Sequence, residues 1–126
     1  MMDLTAFQGF RLRGGFVLVS VKASREPFAD AIGRPALAKT SVIGNRFEIV
    51  FLEGMSDGEV SVTLYHEVLE AATVAAASPP ESVMNLNEGD FETIACRMHE
   101  QLGPATPSNL NRMLEMFDFG THEHER

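Results

Sequence analysis

One cysteine in 126 residues excludes an internal disulfide, so no covalent staple holds this chain together. A lone Cys96 suits a reducing compartment. Basic residues are scarce as well. Ten Lys plus Arg stand against eighteen Asp plus Glu, a formal net charge of -8. That surplus disfavours nonspecific binding to nucleic acid and to anionic membranes. Arg11, Arg13, Arg25 and Arg34 make the first third more basic than the rest, an asymmetry that suits a partner protein or self-association. Four scattered arginines do not form a nucleic-acid footprint. No apolar run reaches the roughly 20 residues of a membrane span. The start, Met1-Met2-Asp3-Leu4, lacks the basic and apolar regions of a signal peptide, so cytoplasm is the expected location. There is no internal repeat, and Gly14-Gly15 reads as a turn with no phosphate-binding glycine pattern around it.

What is present is enough to build a core: 44% of the residues are hydrophobic, and a chain of this length buries roughly 65% of its unfolded surface on folding. Residues 16–21 are apolar and β-branched and predict a strand. Residues 46–52 alternate and then turn apolar, which predicts a second strand. Between them, Pro27 starts a short expected helix over residues 27–32. Ser56-Asp57-Gly58-Glu59 has the form of a capping box and opens a helix expected to reach residue 77, where Ser78-Pro79-Pro80 stops it. Val60, Val62, Leu64, Val68, Leu69, Ala72, Val74 and Ala75 cover nearly every direction around that helix, which predicts a buried one. Asp90 is the expected cap of a helix over residues 91–102, and Thr106, with Pro107 after it, the cap of a last helix to about residue 117. The expected fold is α+β, a small sheet packed on a long buried helix with two further helices. It occupies residues 1–120 as one domain, with a polar tail at 121–126.

A buried helix must pair, neutralise or metallate any ionisable group near its middle. His66, Glu67 and Glu70 are those groups. His66 and Glu70 stand four apart, about 40° from each other, and so offer an imidazole nitrogen and a carboxylate oxygen to one ion. Glu67 lies about 100° round, where a carboxylate can take a proton from water beside the metal. On the next expected helix Glu92, Cys96 and His99 share a polar stripe at the edge of a core face of Phe91, Ile94, Ala95, Met98 and Leu102. Glu92 and His99 compete as the third ligand, and Cys96 is expected to fill a small space in the core.

These residues resemble something known. Leu64-Tyr65-His66-Glu67-Val68-Leu69-Glu70-Ala71-Ala72 resembles the active helix of the zincin-like metallopeptidases, whose motif is His-Glu-x-x-His. In that superfamily both histidines bind zinc and the glutamate between them activates water. The resemblance implies a minimal zincin-like domain, zinc as cofactor, His66 as first ligand and Glu67 as general base. Here position 70 is Glu where the motif has its second His. Where members take a glutamate as third ligand it lies on a later helix, the place Glu92 occupies. The strand at 46–52 ahead of a capped helix resembles the superfamily's edge strand before the active helix.

Two functions follow as expectations. One is a zinc-dependent, metallopeptidase-like hydrolase in which Glu67 activates metal-bound water. The other is a non-catalytic interaction or regulatory domain in which the His/Glu cluster is structural, its glutamates meeting Arg97, Arg112 or Lys39. In that second reading Leu110, Met113, Leu114, Met116, Phe117 and Phe119 give the C-terminal helix an apolar face for a partner protein or a second copy.

Overall fold

The computed structural model describes residues 3–26, 28–29, 35–36 and 38–120 of the chain. Its main sheet has four strands in the order β1 (Phe10–Arg11), β2 (Val17–Ser24), β6 (Arg46–Leu52) and β5 (Ala38–Ile43). β2 and β6 run parallel, with a register irregularity between Leu18 and Ser20, whereas β1–β2 and β5–β6 are antiparallel. A separate ribbon pairs β3 (Phe28–Ala29) with β4 (Pro35–Ala36). Three helices follow: α1 (Asp57–Ala75), α2 (Glu88–Leu102) and α3 (Pro107–Met116). This is the expected α+β layout.

β6 shows why the sheet has one dry face. Phe47, Ile49 and Phe51 alternate inward and are buried, while Arg46 and Glu48 face out. α1 packs against β5 and β6, and both α2 and α3 pack on α1. Covered from two sides, α1 buries Val60, Leu64, Tyr65, Val68, Leu69, Ala71 and Ala72. One core joins Phe7 and Phe16 near the start to Leu110, Met113, Leu114 and Phe119 near the end.

Several expectations change. α1 is not buried all round: Val74 is 70% exposed, and the strip carrying His66, Glu67 and Glu70 is only half-buried. The strand at 46–52 is interior to the sheet, and the edge beside α1 is β5, reached through the two-residue turn Gly44–Asn45 with Gly44 at φ 63. Within the expected 27–32 helix, residues 28–29 are strand, and the rest lies outside the described residues. α2 starts three residues early, because Asn87 and not Asp90 is its cap. The Asn87 side chain accepts from the Asp90 N–H while the Asp90 carboxylate accepts from the Asn87 N–H. Cys96 is exposed on α2 and fills no core space. Of the apolar face expected on the last helix, Leu110, Met113, Leu114 and Phe119 are inside the chain's own core, and Met116 stays exposed. Thr106 caps α3 with Pro107 in its first turn, as expected.

Candidate metal centre

α1 and α2 run antiparallel, and two polar contacts at one end fix how they slide against each other. Ser61, fully buried on α1, accepts the Ala105 N–H through its hydroxyl oxygen at 2.8 Å and meets His99 Nδ1 at 2.8 Å. One turn on, the Tyr65 hydroxyl donates to the Gly103 carbonyl oxygen at 2.9 Å. Burial pushes the Tyr65 pKa up to about 12, so the phenol remains a donor. With the C-terminal end of α2 tied there, its first turn lies over the middle of α1. Phe91 packs against the His66 ring, centroids 6.1 Å apart and planes at 22°.

The outcome is a ring of carboxylates around one imidazole. His66 Nδ1 is 2.9 Å from Glu92 Oε1, and Nε2 is 3.0 Å from Glu88 Oε2. On its own helix, Nε2 lies 3.9 Å from the nearer oxygen of Glu67 and 3.9 Å from that of Glu70. Glu67 is anchored from the sheet: Thr40 Oγ1 on β5 donates to its Oε1 at 2.7 Å, which leaves Oε2 towards the imidazole. Among the described residues, the ion pairs of these four glutamates are all with His66.

Four acids around one base perturb one another. Burial opposes charge on His66, but the Glu70 and Glu92 carboxylates beside it, with the field of Glu67, outweigh burial and push its pKa up to about 10. Burial is the main cause that raises the Glu67 pKa, against the Thr40 hydrogen bond and the His66 charge. Glu70 is held below the usual carboxylate range, first by His66. Glu88 is raised, first by the Glu70 carboxylate and then by burial.

His66, Glu67 and Glu70 are a group that could hold a metal ion. One donor atom each from His66, Glu67 and Glu70 lies within 4.8 Å of the other two. Ligands on one zinc ion with bonds near 2.0–2.1 Å sit roughly 3.4 Å apart, closer than the 4.8 Å within which these donors lie. Nitrogen and carboxylate oxygen are both ordinary donors for zinc and other first-row ions.

Of the residues singled out in the sequence, His66, Glu67, Glu70 and Glu92 come together. His99 does not join them; it is taken up by Ser61 at the other end of the helix pair. Glu92 reaches the nitrogen opposite the one that faces Glu67 and Glu70, where a third ligand had been expected, and so bonds the back of the ring. Glu88 and Ser61 were missed. Glu88 lay ahead of the expected cap at Asp90, and only Asn87-x-x-Asp90, read as a capping box, would have put it on the helix four residues before Glu92. Ser61 is one hydroxyl in an apolar run and carries no signal of its own. Compared with known protein families, with curated proteins and with solved structures, the chain finds no match in any of the three.

Proposed function

We propose that the chain is a metal-dependent hydrolase of metallopeptidase type, with a divalent ion, zinc by donor chemistry, held by His66 Nε2, Glu70 and Glu88. The observation that carries this reading is the charge imbalance. Four half-buried or exposed carboxylates converge on one imidazole, more negative charge than an imidazolium balances, and a divalent cation supplies what is lacking.

Each protein group then has a distinct task. Glu92 accepts the Nδ1 proton of His66, which fixes the tautomer that leaves Nε2 free to donate to the ion. Thr40 holds Glu67 by one oxygen, so the other keeps a fixed position facing the centre. There it accepts a proton from the attacking water and returns it to the leaving group, a task that a pKa raised by burial favours. Bound at this place, zinc would polarise the acyl carbonyl and make water more acidic. Tyr65 takes no part, because its hydroxyl is spent on Gly103. The lone cysteine fits work in a reducing compartment such as the cytoplasm. Among the described residues no helix is long and apolar enough to cross a membrane.

A second reading is supported by the occupation of both ring nitrogens by α2 carboxylates. His66 would then be a permanent imidazolium clasp between α1 and α2 in a non-catalytic interaction or regulatory domain. Metal content by plasma mass spectrometry decides between the two, on untagged protein reconstituted with zinc and freed of excess. Near one equivalent, lost in His66→Ala and in Glu70→Ala and lowered in Glu88→Gln, supports the centre and calls for a peptidase screen. No retained metal in the parent chain refutes it and leaves the clasp.

A further inference from the structure

We infer that the groove beside this centre takes an arginine side chain, so that the substrate is a basic peptide with arginine next to the bond attacked. The inference rests on the hydrolase reading for why the groove lies there, but its chemistry is independent of it. The groove is a cleft of about 480 Å³ between α1 and α2, within the size range of small-ligand pockets. At one end is Glu92, which also bonds His66 Nδ1, so the cleft ends beside the imidazole, on the side of the ring turned away from Glu67 and Glu70. At the other end is Glu59. Between these carboxylates the walls are the apolar side chains of Met55 and Val62, the exposed Cys96 and the His99 ring.

That sequence of surfaces selects a ligand. A long side chain with an apolar stem and a cationic head lays its methylenes along Met55 and Val62 and brings the head to a carboxylate. An acidic side chain is repelled by Glu59, by Glu92 and by a net charge of -8 on the whole chain. An aliphatic one fills the walls but brings no positive charge to the exposed Glu59 and Glu92 carboxylates. Arginine is favoured over lysine because a planar guanidinium binds a carboxylate through two N–H groups and stacks on a ring such as His99. Glu59 stays available as a charge. Its Oε1 accepts the Ser56 N–H in the helix cap, a bond that holds its pKa below the usual carboxylate range.

The test is an amide-shift titration of ¹⁵N-labelled protein, zinc-loaded and chelator-treated, with N-acetyl-arginine amide. N-acetyl-leucine amide and N-acetyl-glutamate amide serve as comparators. The expected result is saturable shifts at Val62 and Cys96 with the arginine compound, weaker with leucine and absent with glutamate. Glu59→Gln keeps the capping box, since glutamine serves there too, and is expected to weaken binding roughly fivefold, the weight of one exposed ion pair. Cys96→Arg puts a guanidinium of the chain's own into the cleft from an exposed helical position and is expected to abolish binding. Leucine bound as tightly as arginine, or shifts confined to Glu67 and Glu70, overturns the inference. Protein that retains no zinc yet binds arginine in the cleft refutes the centre and keeps the groove. Protein that retains zinc and shows no arginine preference does the reverse.

Discussion

Replacing Glu67 by glutamine should stabilise the metal-free protein while removing the proposed hydrolase activity. Glutamine has the same shape and keeps a carbonyl oxygen for the Thr40 hydroxyl, so the packing and the 2.7 Å bond survive. What changes is charge. One donor atom of Glu67 lies within 4.8 Å of one of Glu70, a separation at which two negative charges repel by about 3.5 kcal/mol at an effective dielectric near 20. The His66 imidazolium at 3.9 Å returns about 4 kcal/mol on the same scale. These two nearly cancel, and burial of Glu67 then tips the sum against its charged form, which is why its pKa is raised. The net gain from Glu67→Gln should be about 1 kcal/mol, since solvent reaching the cluster trims each figure. Urea unfolding in chelator at pH 7.5 reads it directly. The sign follows from linkage: a carboxylate whose folded pKa is raised costs stability while ionised, and that cost fades as pH falls through the raised value. The advantage of the variant should therefore shrink on acidification and vanish below the ordinary glutamate pKa. A loss of 1 kcal/mol or more at pH 7.5 would refute the reasoning and make Glu67 a needed partner of His66 in a structural clasp.

Three more outcomes probe how the site is held. Ser61→Ala strands the buried Ala105 N–H and the Nδ1 of His99; about 2–3 kcal/mol of stability should go, measured by urea unfolding, and zinc should bind more weakly as α2 slips. A loss below 0.5 kcal/mol would mean that water replaces the hydroxyl at no cost. Asn87→Ala removes the α2 cap and should cost about 1 kcal/mol. Zinc affinity by competition with a chromophoric chelator should fall with it, because the first turn carries Glu88. Gly120→Ala should destabilise by about 1–2 kcal/mol and leave zinc stoichiometry unchanged: the residue has φ 78, and a Cβ there would come within 2.9 Å of the Gly14 nitrogen. Thermal melts with parallel metal analysis check both halves.

The parts of the fold that could be read in the sequence are those set by local chemistry. The Ser56–Glu59 box and the Thr106-Pro107 pair mark helix starts because their hydrogen bonds close within one turn. β6 was legible because Phe47, Ile49 and Phe51 alternate cleanly. β5 was not. Lys39, Thr40 and Ser41 are polar, and the strand exists because Gly44 turns it back onto β6 and α1 covers it. Its half-buried, half-exposed alternation is produced by tertiary contacts, with little hydrophobic pattern to announce it.

The site divides along the same line. His66, Glu67 and Glu70 follow from helical spacing on one element, and the structure brings them together. Everything contributed by a second element depended on the register between elements, which no spacing rule supplies. Placing the α2 cap at Asp90 moved the helix start by one turn, and one turn decides whether Glu88 exists as a helical residue at all. It also decided the meaning of Glu92. On the spacing of a single stripe Glu92 and His99 competed as third ligand, whereas Ser61 and Tyr65 hold the C-terminal end of α2 so that Glu92 meets the imidazole and His99 does not. Those two anchors look like core residues in the sequence, one small and one aromatic. Their hydroxyls act as registration pins: shifting α2 by one residue breaks both bonds, buries two unsatisfied groups at about 1–3 kcal/mol each, and carries Glu88 and Glu92 off the His66 ring together. The chemistry proposed for α1 therefore depends on the polar contacts that Ser61 and Tyr65 make with the end of α2 and the residues after it, and substitutions at Ser61 should alter metal affinity without touching a ligand.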